Sequence, residues 1–122
     1  MIALENAARA HVGCAPLHAD PAITKAATEH ARDMGTKHYL DHNSPAGATP
    51  WDRMKAAGYN APAAENIADG YATPEDVVAG WMDDAPHKAN ILNCSVKATG
   101  VGYFRTDKPA GVPTWAQDFG FR

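Results

Sequence analysis

The hydrophobic pattern of this chain changes its period near residue 96, and this change limits the possible folds more than any other feature. Before that point, apolar side chains recur at the three- and four-residue spacing of helices that bury one face. From Val96 onward the pattern has a period of two, as it does in strands. Helices first and strands last predict an α+β fold in which helices pack on a sheet. With 122 residues and no internal repeat, the chain is expected to form one domain over residues 1–122.

Three dipeptides, each a capping residue followed by proline, mark expected helix starts. They are Asp20-Pro21, Thr49-Pro50 and Thr73-Pro74. The first two of these helices are expected to end at Gly35 and Gly58. Further elements are expected as helices over residues 1–13 and 86–92, a short strand or turn over 66–71, and strands near 96–104 and 115–121. The last two strands should pair as an antiparallel hairpin across a turn at residues 106–113.

Two cysteines, Cys14 and Cys94, each lie at the boundary of an expected element. Their spacing lacks the CxxC pattern of zinc and redox sites. A disulfide between them would close a loop of about 80 residues, worth roughly 4–5 kcal/mol in chain entropy. It would also place the protein in an oxidising, extracytoplasmic compartment. The alternative is a pair of unrelated buried thiols.

Charge and hydropathy exclude several classes of partner. The formal net charge is −3 and the pI is about 6.0, so the chain offers no basic field for nucleic acid or anionic lipid. No apolar run approaches the ~20 residues that cross a bilayer. The first residues also lack the charged and apolar regions of a signal peptide. We expect a secreted or extracytoplasmic monomer without nucleic acid as a partner.

A single carboxylate, Glu65, lies inside the short apolar run AENIA at residues 64–68. A carboxylate in such a run is expected to be partly enclosed, and a buried carboxylate needs a partner. One interpretation is structural, with backbone N–H groups or Arg53 as that partner. The other is functional, with Glu65 as the acid of a site.

Two histidines are the other candidate site residues. His42 lies in a predicted loop, and His87 follows a proline at a predicted helix start. Two histidines and a carboxylate suit a divalent metal, or acid–base chemistry by a histidine that a carboxylate orients. The sequence has no HExxH motif that would place both histidines on one helix face. The alternatives are a loop histidine bonded to nearby backbone for His42 and a solvated first-turn histidine for His87.

Other polar residues give weaker signals. Asp84 lies where a helix is expected to end, and negative charge there opposes the helix dipole, so Asp84 is a further site candidate. His30 falls on the apolar stripe of its helix and is expected in the core. Ser44 lies near His42, but no GxSxG turn surrounds it, so a serine nucleophile is not indicated.

In combination and in this order, several blocks of the sequence resemble the CAP superfamily of cysteine-rich secretory proteins, venom antigens and plant pathogenesis-related proteins. The blocks lie at residues 42–45 (HNSP), 53–59, 64–71 (AENIADGY), 80–87, 90–92 (NIL), 100–103 (GVGY) and 115–120. The similarity is greatest to the bacterial secreted branch, the SCP domain. It implies a three-layer α-β-α sandwich with a central antiparallel sheet, and usually secretion.

The resemblance also implies a cleft with two histidines and two acidic residues. His42 matches the first histidine, Glu65 the first glutamate and His87 the second histidine. Asp84 occupies the place of the second glutamate, where bacterial relatives usually carry serine, and it is shorter than glutamate by one methylene. Some members of the family bind zinc or other divalent ions through the two histidines, which here would be His42 and His87. Others bind sterols or lipids, and proteolysis has been proposed for a few.

Three functions follow from this pattern. The first is a secreted binding module whose cleft takes Zn²⁺ or another divalent cation, and/or a small-molecule, lipid or peptide ligand. The second is a metal-assisted hydrolase, a peptidase or an esterase, with Glu65 as base or orienting group. In the third, the polar residues only brace the loops, and a protein- or lipid-binding surface lies elsewhere.

Overall fold

A computed structural model describes residues 1–106 and 111–122 of the chain. Its helices are α1 (Ile2–His11), α2 (Pro21–Lys37), α3 (Pro50–Ala56), α4 (Pro74–Met82) and α5 (Ala85–Ile91). Its strands are β1 (His18–Ala19), β2 (Pro62–Asp69), β3 (Ala98–Phe104) and β4 (Thr114–Gly120). No helix in these ranges is long and apolar enough to cross a membrane.

The strands form a sheet in the order β1-β3-β4-β2. The predicted hairpin is present, since β3 and β4 pair antiparallel with Tyr103 opposite Trp115. Its predicted turn lies in part outside the described residues. β2 pairs antiparallel with β4 at one edge of the sheet, and the two-residue β1 pairs parallel with β3 at the other. β2 begins earlier than the predicted segment. Its start was missed because a register shift between Pro62 and Ala64 interrupts the alternation by which a strand is recognised in the sequence.

Helices cover both faces of this sheet and complete the expected α-β-α sandwich. On one face, α2 and α3 bury Ile23, Ala26, Ala27, Ala31, Met34 and Met54 with Ile67 and Ala116 of the sheet. On the other face, α4 and α5 bury Val77, Val78, Trp81 and Ile91 with Ala68, Trp115 and Phe119. Strand β4 is therefore buried along its whole length. The polar residues of this strand lie in the interior, although the period of two would normally place one set of side chains in water.

The predicted helix starts are confirmed by their capping bonds. Asp20 accepts from the N–H groups of Ala22 and Ile23, and Thr49 forms a complete capping box with Asp52. The predicted end of α2 at Gly35 is wrong, since this helix continues to Lys37. Close packing, and not a helix end, explains the glycine at position 35, because a Cβ atom there would collide with the ring of Phe104.

A disulfide joins Cys14 and Cys94, as predicted, across a sequence separation of 80 residues. Arg9 of α1 lies beside it, fully buried, and its guanidinium donates five hydrogen bonds to backbone carbonyl oxygens. The acceptors belong to Ala15, Ile91, Asn93 and Val96. The disulfide and Arg9 together hold α1 and the segment after α5 against the sheet.

Candidate functional site

The candidate site is a cleft at the outer edge of β2. A cavity of about 260 Å³ opens there, between the start of α3 and the helix α5. Its lining residues are His42, Pro50, Trp51, Ala63, Ala64, Glu65 and Asn90. The cleft thus combines residues from a loop, two helices and an edge strand that are far apart in sequence.

Three side chains close the exposed edge of β2 beside this cleft. The indole and amide donors of Trp51, Asn90 and Trp81 bond the carbonyl oxygens of Ala63, Glu65 and Ile67, respectively. These carbonyl groups alternate along the strand and point away from β4. An edge strand with its acceptors occupied is a poor template for another strand, so this edge is protected from sheet extension.

Glu65 is the buried centre of the site, with a side chain only 1% exposed. Its Oε1 accepts from Nδ1 of His42 at 2.9 Å, and its Oε2 accepts from the Arg53 guanidinium at 3.0 Å. Burial opposes ionisation, but the hydrogen bond from His42 and the charge of Arg53 outweigh it. The pKa of Glu65 is therefore lowered, and the group is a carboxylate at neutral pH.

Arg53 is a structural partner of Glu65, as one of the two interpretations of this carboxylate predicted. Besides Glu65, its guanidinium bonds the carbonyl oxygens of His42 at 2.7 Å and Ala48 at 3.0 Å. These bonds tie the loop before α3 to that helix. The same cation that neutralises Glu65 therefore also positions the residue that Glu65 contacts.

His42 presents one ring nitrogen to the cleft. Since Glu65 is ionised and can only accept, Nδ1 of His42 must carry the proton that it shares with Oε1. The hydrogen bond with Glu65 is the main reason that the pKa of His42 is raised. Its side chain is 50% exposed, so Nε2 is the nitrogen left for a ligand.

His87 forms a second, separate imidazole–carboxylate pair. Its Nδ1 lies 2.7 Å from Oδ2 of Asp84, three residues earlier, at the start of α5. Asp84 is the N-cap residue of this helix, but its side chain makes no capping bond to the backbone and contacts His87 instead. The Asp84 side chain is 53% exposed, so this pair is much wetter than the pair at Glu65.

Two asparagines connect the pairs. Nδ2 of Asn66 donates to the carbonyl oxygen of His87 at 3.1 Å, and Nδ2 of Asn90 contacts both Oδ1 of Asn66 and the carbonyl oxygen of Glu65. In the described part of the chain, the four predicted residues thus form two pairs rather than one hydrogen-bonded tetrad. Each histidine keeps its own carboxylate and an available Nε2.

The sequence interpretation did not include Asp118, which is fully buried on β4 directly opposite Glu65. The sequence signal for Asp118 is its position in the strand. The predicted alternation puts Trp115, Gln117 and Phe119 on one face of the sheet, so Asp118 lies on the other. His30 lies in the core, as predicted, and its Nε2 bonds the carbonyl oxygen of Asp41 at 2.8 Å. It approaches Oε1 of Glu65 to 3.9 Å, too far for a hydrogen bond.

His42 and His87 are the two residues predicted to hold a divalent cation. A histidine whose Nδ1–H bonds a carboxylate has its tautomer fixed and its Nε2 lone pair ready for a metal. His42 meets this condition, and Nδ1 of His87 lies 2.7 Å from a carboxylate oxygen of Asp84. Within residues 1–106 and 111–122, no group of three or more His, Cys, Asp or Glu side chains is arranged to hold one ion. The protein would therefore supply two imidazole ligands at most, and water would complete the coordination.

A larger groove, of about 620 Å³, lies away from these residues, at the end of α2. Apolar side chains dominate its wall, among them Met34, Tyr39, Leu40, Phe104 and Val112. It carries none of the paired histidines and carboxylates of the cleft. Its lining has the character expected for an apolar ligand, which is the third of the functions considered above.

Comparison with known proteins agrees with this architecture. Residues 2–119 match the family model described as CAP, the cysteine-rich secretory protein family. The chain is 40% identical over 120 residues to the uncharacterized protein YkwD of Bacillus subtilis, covering 98% of this chain and 45% of the relative. It is 31% identical over 103 residues to the uncharacterized membrane protein YlbC of the same organism, covering 84% of this chain and 30% of the relative. The chain therefore spans less than half the length of either relative.

Solved structures show the same fold. An extracellular protein containing an SCP domain from Bacillus anthracis superposes with a TM-score of 0.88 at 27% identity, covering 99% of this chain and 39% of that one. An outer surface protein of Borrelia burgdorferi superposes with a TM-score of 0.79 at 20% identity, covering 99% of this chain and 89% of that one. With a family model that matches nearly the whole chain and this agreement in fold, the chain belongs to the cysteine-rich secretory protein (CAP) family.

Proposed function

We propose that this domain is a secreted binding module whose cleft at the edge of β2 takes a divalent cation, Zn²⁺ in the first instance, through His42 and His87. One observation carries the proposal: Nδ1 of His42 is hydrogen-bonded to Glu65 at 2.9 Å and Nδ1 of His87 lies 2.7 Å from Asp84, so each imidazole has Nε2 left as a ligand atom. Imidazole nitrogen suits zinc, and a carboxylate on the outer nitrogen strengthens the ligand.

The surroundings of the two histidines predict modest affinity. His42 is half exposed, its pKa is raised, and the ion must displace the proton that imidazolium would carry at Nε2. Two protein ligands leave the remaining coordination positions to water or to polar groups of a second molecule. An ion in the cleft would therefore link the protein to a ligand that supplies oxygen or nitrogen donors.

An extracytoplasmic location is supported by two observations. The Cys14–Cys94 disulfide is a bond that persists in oxidising compartments. The solved SCP-domain structure of Bacillus anthracis is described as an extracellular protein, and that of Borrelia burgdorferi as an outer surface protein.

Calorimetric titration of chelator-treated protein with zinc chloride tests the binding function. The wild-type domain should take up one ion, and the double variant His42→Ala, His87→Ala should take up none. A matched double variant, His11→Ala with His18→Ala, removes two exposed histidines outside the cleft and should bind as the wild type does. Equal uptake by all three proteins would refute the proposal.

A hydrolase is the second candidate, since His42 with Nδ1 held by Glu65 is also the arrangement of a general base. Glu65 itself is not free for that role, because both of its oxygens are already bonded. The hydroxyl of Ser44 accepts from the N–H of Ala48 and closes a turn of the loop. Hydrolysis would then use water activated at Nε2 of His42. Turnover of peptide and ester libraries that is lost in His42→Ala would support this function, and absence of turnover with or without zinc would remove it.

A further inference from the structure

Asp118 is a buried acidic group whose role neither the family pattern nor the cleft lining explains. Its side chain is fully buried in the centre of β4, directly opposite Glu65 of β2. The carbonyl oxygen of Glu65 bonds Asn90 instead of β4, which identifies the position as a non-hydrogen-bonded pair of the antiparallel ladder. In such pairs the Cα atoms approach to about 4.5 Å and the side chains lie closer than elsewhere.

Two carboxyl groups held this close and out of water cannot both be ionised at neutral pH. Glu65 accepts hydrogen bonds from His42 and Arg53, which stabilise its negative charge. The two oxygens of Asp118 are buried and receive no hydrogen bond from any donor in the described residues. An ionised Asp118 would therefore be a buried charge without a partner, whereas a protonated Asp118 can donate to the adjacent Glu65 carboxylate.

The other charged and titratable groups around this pair do not change the assignment. Arg53, from α3, supplies one positive charge, and its guanidinium bonds Oε2 of Glu65. His30, from α2, donates from Nε2 to the carbonyl oxygen of Asp41, and its buried Nδ1 makes no hydrogen bond among the described residues. Burial also lowers the pKa of His30, so this imidazole is neutral and adds no positive charge. Arg53 and His42 both act on Glu65, so among the described residues no cation is left to stabilise a negative charge on Asp118.

We propose that Asp118 is a positioning residue of the cleft: it carries a proton at neutral pH, donates a hydrogen bond to Glu65, and so holds the Glu65 carboxylate in the orientation that receives His42. The result is a chain of two hydrogen bonds from the sheet interior to the cleft, Asp118 to Glu65 and His42 to Glu65. Its meaning for ligand binding rests on the function proposed above, but the proton itself can be tested without any metal.

The proposal agrees with the ionisation behaviour of both acids. Burial, and after it the interaction with Glu65, raise the pKa of Asp118 well above its usual range. The same interaction contributes to the lowered pKa of Glu65. The two groups share one proton and titrate as a pair, with that proton mainly on Asp118.

Carboxyl carbon NMR on the metal-free domain tests this assignment directly. At pH 7 the Asp118 carboxyl carbon should resonate as a protonated acid and that of Glu65 as a carboxylate. Three variants extend the test: Asp118→Asn keeps a neutral donor toward Glu65, Asp118→Ala removes it, and Thr114→Val serves as control. Thr114 is buried on the same strand and face, and its hydroxyl bonds the carbonyl oxygen of Val112 rather than the cleft.

The expected results separate a proton donor from a charged or purely structural Asp118. Asp118→Asn should leave the pKa values of Glu65 and His42 near those of the wild type, since it replaces one neutral donor with another. Asp118→Ala should raise the pKa of Glu65, and Thr114→Val should change neither group. An ionised Asp118 signal at pH 7, or a fall in the pKa of His42 in Asp118→Asn, would overturn the proposal, because either result means that a negative charge stood at position 118. If Asp118→Ala fails to fold, the wild-type spectrum and Asp118→Asn still decide.

Zinc titration of the wild type, compared with its NMR spectrum, separates this inference from the binding function. Absence of zinc uptake by the wild type would refute binding while the NMR assignment of the proton stands. Normal zinc uptake together with an ionised Asp118 would refute the positioning role alone.

Discussion

The guanidinium of Arg53 and the carboxylate of Glu65 meet at 3.0 Å, with the two side chains 12% and 1% exposed, respectively. The same guanidinium bonds the carbonyl oxygen of His42, the residue that occupies the other oxygen of Glu65. One cation therefore neutralises the buried acid and also fixes the loop that brings His42 to it. Stability and site geometry depend on the same contact.

Replacing Arg53 should therefore destabilise the fold and change the titration of His42. Arg53→Met leaves the buried Glu65 carboxylate without its cation, a loss expected to cost about 3 kcal/mol of unfolding free energy. Because the charge of Arg53 lowers the pKa of His42, its removal should raise that pKa further. Urea denaturation and an NMR titration of His42 measure the two effects. Lys55→Met, an exposed substitution on the same helix, is the control, and equal destabilisation by both would contradict this prediction.

The raised pKa of His42 gives zinc binding a defined pH dependence. A metal takes the neutral imidazole, so affinity should fall as the pH drops through the folded-state pKa of His42. Glu65→Gln replaces the charged acceptor of this hydrogen bond with a neutral one, which raises the pKa of His42 less, so the midpoint of this fall should move to lower pH. Calorimetry at several pH values, with the exposed Glu75→Gln as control, checks the shift. A midpoint that stays the same in Glu65→Gln would show that this carboxylate does not set the basicity of His42.

His42 also contributes to stability with a definite sign. Its pKa is raised in the folded state, so its contribution is present below the unfolded value of about 6.5 and is lost as the pH rises through the folded value. The difference in unfolding free energy between wild type and His42→Ala should therefore shrink as the pH rises above neutral. Denaturation curves over this range measure it, and a difference that grows with pH would contradict the ion pair.

Glu5 should make the domain less stable as the pH rises. This carboxyl group of α1 is fully buried, Gln117 donates to its Oε1, and burial raises its pKa to about 7. Between the unfolded value and 7, the native state keeps a proton that the unfolded chain has lost, so stability falls with increasing pH. The loss should approach about 3 kcal/mol, since each unit of pKa difference is worth about 1.4 kcal/mol.

Glu5→Gln tests this interpretation because it keeps the shape and removes the ionisation. Its stability should gain on that of the wild type steadily from about pH 4.5 to pH 7. Thermal or urea unfolding across that range gives the comparison. Glu29→Gln, an exposed change on α2, should follow the wild type, and a parallel pH dependence in Glu5→Gln would show that another group is responsible.

The disulfide should dominate the stability of the covalent framework. Cys14→Ser with Cys94→Ser opens a loop of 80 residues and should cost about 4–5 kcal/mol in the chain-entropy model. Because Arg9 still bonds the carbonyl oxygens around the former bridge, the fold should persist at low denaturant. Circular dichroism against urea checks both points. A variant as stable as the wild type would show that opening the bridge does not increase the conformational entropy of the unfolded chain enough to lower stability.

Local sequence signals predicted much of this structure. The capping pairs at Asp20, Thr49 and Thr73 located three helix starts, because each cap depends only on residues within one turn. The cysteine positions indicated a bridge, and the resemblance placed His42, Glu65, His87 and Asp84 at one candidate cleft. The structure brings His42 to Glu65 and His87 to Asp84, while the chemistry of the cleft stays a proposal.

Long-range contacts were harder to predict. The sequence interpretation gave Arg9 no role, although its five hydrogen bonds reach carbonyl groups up to 87 residues away. The interpretation also shortened β2, since the irregularity near Pro62 hides the strand and only pairing with β4 defines it. Neither feature has a periodic signature, because each depends on which segments the fold places side by side.

The sequence by itself therefore determined the fold class and three helix starts, which depend on local pattern and residue type, while the candidate site residues were predicted with the help of the family resemblance. The tertiary structure decided which charged and titratable groups lie next to one another. It placed Arg53 on Glu65, gave each histidine its own carboxylate, and set Asp118 behind Glu65 in the interior. The physical reason is that the energy of a buried charge depends on its neighbours in space. Those neighbours come from strands and helices that only the register and the layering bring together.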